Sequence, residues 1–260
     1  MIRLKNENQI NGIRSSCKML SAMYRELIPL VKPGILTIDI DKWVQDWIKK
    51  AGGKPAFLGY KIKRKPFPAA ICISINEEVI HGIPSKRRIR EGDLVSLDCG
   101  IDLNGFISDQ AISIEAGKVE DDIKKLNRVT CESLYKAIEA AKAGDRLLQI
   151  ARAVEGHVKP KGYGIVKSFC GHGVGFSIHE DPQVPNTPHG PNPKMNNGFV
   201  FAIEPMITMG GGDVEVLEDE WTVVTADESI SAHWEHTVAI FGGKTEVLTE
   251  PLEEMVFKKI

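Results

Sequence analysis

The chain has 260 residues, 42% of them hydrophobic and 26% charged, with a formal net charge of -2. That length allows one large domain or two small ones, and the composition is that of a globular protein, which excludes disorder as the default. A charge so near zero gives no global pull toward nucleic acid or an anionic membrane.

In chain order, residues 7 to 30 carry a helical stripe of Ile10, Ile13, Met19, Leu20, Met23 and Leu27, broken by Pro33-Gly34. Thr37 is read as the N-cap of a second helix reaching about Lys50 and ended by Gly52-Gly53. Residues 70 to 76, 93 to 99 and 105 to 114 read as strands, with Asn104-Gly105 as a hairpin signal between the last two. Helices follow over 119 to 142 and 145 to 158, then strands near 164 to 170, 199 to 207, 221 to 225 and 234 to 241.

The second half repeats the first. Gly34 and Gly52 bracket a helix holding Ile40, Val44 and Ile48; Gly144 and Gly162 bracket another holding Ile150, Val154 and Val158. Gly92 opens GDLVSLD, ending on Asp98, and Gly198 opens GFVFAIE, ending on Glu204. A period this long points to two pseudo-symmetric halves rather than a solenoid. We take the chain as one domain, 1–260, with halves of about 1–117 and 118–260.

Met1 to Gln9 is polar, without the apolar run of a signal peptide, and no stretch of about 18 apolar residues could span a bilayer. Cys17, Cys72, Cys99, Cys131 and Cys170 are scattered, odd in number and set among apolar residues. They read as free thiols packed as small hydrophobes in a reducing compartment, so a cytoplasmic protein is expected.

Acids are rare in apolar strands unless paired or bound to metal, because a bare buried carboxylate is costly. A single one is usually a salt-bridge partner or a strand end at solvent. Here four stand beside apolar runs: Asp98, Asp109, Glu204 and Glu235. Three histidines lie in or near glycine-rich or turn-forming segments: His81 in VIHGIP, His172 in CGHGVG and His179 before Glu180-Asp181-Pro182. Lone histidines are mostly structural, but three of them with four strand acids suggest a site. An oxygen-rich set with an imidazole suits hard or borderline divalent cations, and about two such ions would neutralise four carboxylates. The glycines around His172 are taken to let backbone approach a bound centre.

At this point the chain resembles the type I methionine aminopeptidases. The matching segments are CISINEEVIHGIP (72 to 84), GDLVSLD (92 to 98), SDQA (108 to 111), GHGVGFSIHEDPQVPN (171 to 186), GFVFAIEPM (198 to 206) and WTVVTADESISAHWEHTVAI (221 to 240). The resemblance implies the α/β (α+β) pita-bread fold: a curved antiparallel sheet in two pseudo-symmetric halves with helices on the outer face. It implies co-translational removal of the N-terminal methionine from nascent proteins when the second residue is small. Two divalent ions are implied, drawn from cobalt, manganese, iron, zinc or nickel. Asp98 would hold one ion, His172 and Glu204 the other, and Asp109 and Glu235 would bridge them. Glu204 would also handle the proton of the attacking water. His81 and His179 would bond the substrate near the scissile peptide, and Tyr60, Phe67, Cys72 and Trp221 would line the methionine pocket. A monomer is implied, acting on nascent-chain N-termini with the ribosome as a candidate partner, and without a membrane or a specific nucleic-acid sequence.

The chain departs from that pattern at Ser108, where glycine is usual, and at Ile178, where an aromatic is common. Phe57 stands where a small residue is common, and the basic run Lys61 to Lys65 is longer than the usual loop. Two other readings share the metal residues or the fold: a proline-directed pita-bread peptidase and a pita-bread binding protein without catalysis. The first usually has a large N-terminal domain, and the second would be expected to lose ligands. A type II enzyme needs a helical insertion, and the 31 residues from Glu204 to Glu235 leave no room for it.

Overall fold

The computed structural model describes residues 1–61 and 64–257. Four long helices carry the outside: α1 (Glu7–Leu27), α2 (Thr37–Lys50), α3 (Asp121–Ala140) and α4 (Leu148–Val158). Helix α1 starts on a capping box, in which the Asn6 side chain accepts from Gln9 N and the Gln9 side chain from Asn6 N.

Helix α2 is not capped by Thr37. Leu36 holds the cap position, and the Thr37 hydroxyl instead accepts from Ser85 N at 2.8 Å and donates to Ser85 O at 3.1 Å. That exchange ties the helix start to the segment after His81. Helix α4 likewise starts at Leu148 rather than near 145, because Asp145 and Leu147 are taken up in backbone bonds to Met195 and Pro193. Gly34, Gly52, Gly144 and Gly162 all have φ between +83° and +97°, so each helix-bracketing glycine of the repeat sits in the left-handed region.

Among the described residues the main sheet has nine strands, all antiparallel. Its central run pairs Leu94–Leu103 with Phe106–Glu115, then Glu235–Phe241, Phe199–Ile203, Gly171–Gly173 and Glu180–Val184. The Asn104-Gly105 hairpin forms with both residues at positive φ, as a two-residue turn of this twist requires. The 94–103 strand runs beyond Cys99, so Asp98 lies in its middle rather than at its end. Short strands at Glu78–Ile80, Glu180–Val184, Val214–Val216 and Lys244–Val247 were not visible in the periodicity; at three or four residues, or with Pro182 inside, they carry too little pattern.

Period-2 alternation splits the sheet into two faces. Leu97, Cys99 and Ile101 pack in one core with Leu20, Met23 and Tyr24 of α1. The Tyr24 hydroxyl reaches Leu97 O and Gln110 O, and Gln110 Oε1 accepts from Ser21 on the same helix. Asp98 and Asp109 sit on the opposite face, lining a cavity of about 570 Å³.

Candidate metal and substrate site

That cavity gathers every candidate metal, catalytic and pocket residue named from the sequence. Asp98, Asp109, His172, Glu204 and Glu235 line its floor; His81, His179, Tyr60, Phe67, Cys72 and Trp221 line its walls. Asp98 and Asp109 come from the hairpin pair, and Glu235 opens the next strand, opposite Ala111. Glu204 follows the Phe199–Ile203 strand directly, and His172 stands in the Gly171–Gly173 strand. The glycines flanking His172 serve its neighbours rather than a bound centre. A Cβ at Gly171 would lie 2.4 Å from Ala202 O, and one at Gly173 2.2 Å from Asp181 O. Only bare backbone lets this strand nest between its partners.

One ligand atom each from Asp109, His172 and Glu235 lies within 4.8 Å of the others. His172 Nε2 is 3.6 Å from Asp109 Oδ2 and 3.4 Å from Glu204 Oε1. Asp98 Oδ1, Asp109 Oδ1 and Glu235 Oε1 are buried without a hydrogen-bond partner. Buried polar atoms are almost always paired, so bare buried oxygens on three acids that line one cavity are an anomaly that the described protein groups do not resolve. A divalent cation would resolve it, and the cluster of Asp109, His172 and Glu235 offers carboxylate and imidazole donors that fit one.

The electrostatics agree. Burial, the largest cause, pushes Asp98 up to about 7, with Glu204 adding to the rise. Burial pushes Glu204 up to about 8. Asp109 and Glu235 are also raised well above the carboxylate range, by burial first and then by the neighbouring acids. Burial, and after it His179, pushes His172 down to about 3, so its ring is neutral at physiological pH.

His81 and His179 stand off the floor. His179 lines the cavity with part of its surface exposed, its ring centroid 4.3 Å from that of His172, and desolvation of the rest lowers its ring from the ordinary imidazole range. Its Nδ1 lies 2.6 Å from the Tyr60 hydroxyl. The turn before it is staked by Glu180, whose Oε1 accepts from Phe176 N and Ser177 N. Glu180 Oε2 meets Lys5 Nζ at 2.7 Å, with side chains only 5% and 1% exposed. His81 has φ +59°, a conformation uncommon for a residue with a Cβ and concentrated at functional sites. Its ring is edge-on to Phe169 and Trp221 at 6.0 and 6.2 Å. Phe67 packs edge-on to Trp221 at 5.3 Å, and Trp221 Nε1 donates to Lys65 O at 3.1 Å.

The departures noted in the sequence have local reasons. The Ser108 side chain is fully buried, its Oγ 3.0 Å from Ser16 Oγ of α1, so the hydroxyl is satisfied away from the floor. Phe57 and Ile178 belong to one apolar cluster with Phe67, Cys72 and Trp221. The aromatic bulk missing at 178 is thus offset within the same cluster at 57. In the basic run, Arg64 and Lys65 pair with Glu220 at 3.3 and 3.8 Å, and Lys63 lies outside the described residues.

His233 was missed by the sequence reading. It is 1% exposed, its Nε2 is 3.5 Å from Glu204 Oε2, and neither ring nitrogen has a hydrogen-bond partner. Burial holds it below the ordinary imidazole range against the pull of Asp98. The available signal was its spacing of two from Glu235, which puts both on one face of an extended chain.

The profile of the metallopeptidase family M24 matches residues 11–241. A methionine aminopeptidase of Treponema pallidum is 51% identical over 255 residues, covering 97% of this chain and 98% of that one. The structure of methionine aminopeptidase from Thermotoga maritima superposes with a TM-score of 0.92 at 38% identity, over 96% of this chain and all (100%) of that one. Prolidase from Pyrococcus furiosus shares the fold alone, with a TM-score of 0.78 at 24% identity, covering 95% of this chain but 65% of its own. Full-length similarity in both sequence and structure makes the chain a member of metallopeptidase family M24, in its methionine aminopeptidase branch, with the pita-bread fold.

Proposed function

We propose that the protein removes the N-terminal methionine from new polypeptides whose second residue is small, using two divalent ions. The observation that carries this reading is the set of unpartnered buried carboxylate oxygens beside His172, at the base of an apolar pocket. Asp98, Asp109, His172, Glu204 and Glu235 would hold the ions. Bound divalent ions supply Lewis acidity toward the scissile carbonyl and acidify water. The chain supplies the rest. Glu204 takes the proton of the attacking water on a carboxylate oxygen and passes it to the leaving amine. His81 and His179 donate to the substrate around the scissile carbonyl, where charge grows in the transition state. Tyr60, Phe67, Cys72 and Trp221 receive the methionine side chain, whose thioether suits aromatic and sulfur neighbours.

The same reading takes residues 1–260 as one catalytic domain with halves of about 1–117 and 118–260. Gly92 and Gly198, at φ +92° and +91°, each precede the strand that delivers an acid, Asp98 and Glu204 respectively. It also makes the protein a cytoplasmic monomer that meets its substrate at the ribosome. Support for the compartment is that all five cysteines are free. For ribosome docking, Lys86, Arg88 and Arg90 are the better cluster, since Arg87 is paired with Glu78 at 2.8 Å and the run from Lys61 is partly neutralised by Glu220.

The deciding experiment is hydrolysis of Met-Ala-Ser by metal-stripped protein to which cobalt, manganese, iron, zinc or nickel is added singly. Release of methionine with at least one metal, and none without, is expected. Cleavage of X-Pro peptides in preference would favour the proline-directed alternative, and failure to bind any metal would favour a non-catalytic binding protein. Salt-sensitive co-sedimentation with ribosomes, lost on replacing Lys86, Arg88 and Arg90 with Ala, tests docking.

A further inference from the structure

We propose that Tyr60 is a positioning residue: its hydroxyl donates to His179 Nδ1 and fixes the ring in the tautomer that carries hydrogen on Nε2, facing the substrate. This rests on the reading of His179 as a donor to the substrate.

The two groups are 119 residues apart in sequence and 2.6 Å apart in space. Two assignments of the hydrogens are conceivable, and chemistry separates them. A phenol O–H is a better donor than an imidazole N–H, and an imidazole nitrogen is a better acceptor than a phenol oxygen. The pair is therefore O–H to Nδ1. With Nδ1 accepting, a neutral imidazole must carry its one hydrogen on Nε2. Nε2 makes no hydrogen bond to the described residues, and His179 lines the cavity. A peptide carbonyl only accepts, so the tautomer matters: hydrogen on Nδ1 would turn a lone pair toward the substrate oxygen instead of a donor.

Tyr60 is held where this requires. Its N–H donates to Phe57 O at 2.9 Å, its carbonyl accepts from Phe67 N at 2.8 Å, and Gly59 N donates to Phe67 O at 2.9 Å. These bonds close the base of the loop that carries the basic run. Its ring lies 5.1 Å from that of His179. On the other side, the backbone before His179 is fixed through Glu180 and Lys5. Ring and backbone of His179 are thus held from two directions.

The test is nitrogen NMR of the imidazoles in ¹⁵N-histidine protein loaded with zinc, a diamagnetic divalent ion, with His179 signals assigned by their loss in His179→Ala. Hydrogen on Nε2 is expected in the parent protein. Tyr60→Phe keeps the ring and removes only the hydroxyl; a mixture of both tautomers at His179 is expected, with kcat on Met-Ala-Ser down about tenfold, the low end for losing a partner that orients a histidine, and KM little changed. Hydrogen on Nδ1 in the parent, or Tyr60→Phe with unaltered tautomer and kcat, overturns the proposal. A rise in KM with kcat and tautomer unchanged also overturns it, leaving Tyr60 as pocket wall only. Failure of the underlying reading shows separately, as full turnover in His179→Ala.

Discussion

Replacing Asp98 with asparagine is predicted to stabilise the metal-free protein while weakening its hold on metal. Asp98 ionises at 3.8 in an unfolded chain and at about 7 in the folded, metal-free one, mainly because it is buried. Below 3.8 both states are protonated and nothing is lost. Between 3.8 and about 7 the unfolded chain releases its proton while the folded one keeps it, so stability falls as pH rises; above about 7 the deficit is level. At about 1.36 kcal/mol per pH unit the deficit is about 2 kcal/mol at pH 5 and about 4 kcal/mol at pH 8. An uncharged amide of the same shape escapes it, and its N–H₂ can donate to Asp109. Urea unfolding of chelator-treated parent and Asp98→Asn, at both pH values, reads the difference directly. Added metal should reverse the order, because the parent regains its stability on chelation and the variant regains less. A variant no more stable than the parent at pH 8 without metal, or a gap independent of pH, would refute the argument.

Other consequences are separable. His81→Ala should keep its bound metal, measured by elemental analysis, and lose about 2–4 kcal/mol of transition-state stabilisation in kcat, the size of a lost oxyanion donor; loss of metal would contradict its role. Lys5→Met breaks the buried pair with Glu180 and should cost about 3–5 kcal/mol in urea unfolding, with Lys5→Met/Glu180→Gln recovering part; an unchanged midpoint would show the pair to be dispensable. Peptides with Gly, Ala or Ser after Met should be cleaved and those with Lys, Leu or Phe spared, and efficient release from Met-Phe peptides would remove the proposed selectivity.

What could be read from the sequence was whatever is encoded locally. Asn104-Gly105 demands its turn by backbone sterics alone, and acids such as Asp98 and Glu204 stand out because nothing apolar tolerates them. What could not be read depends on partners far along the chain. Thr37 looks like a cap until Ser85 claims its hydroxyl. Ser108 looks like a blemish beside Asp109 until Ser16 is seen to meet it. The glycines at His172 suggest a bound centre until Ala202 and Asp181 are found against them. His233 stayed hidden because its meaning lies in Glu204, which only the pairing of Met206 with His233 brings near.

The two faces of the sheet show why the site and the fold do not compete. On the helix side, Gln110 is partnered by Ser21 and Glu250, Asn127 by Trp234, and His236 by Thr249. On the cavity side, Asp98, Asp109 and Glu235 keep oxygens that no protein group meets. Because successive residues alternate faces, the same two strands carry both arrangements without sharing a side chain. The apolar residues packed on α1 thus lie apart from the acid cluster, whose electrostatic cost a cation would relieve. A substitution on the helix side, such as Gln110→Leu, strands partners on Ser21 and Glu250 and weakens the fold without changing the ligand set. A substitution of a floor acid does the reverse, which is why Asp98→Asn is predicted to gain stability where it loses metal.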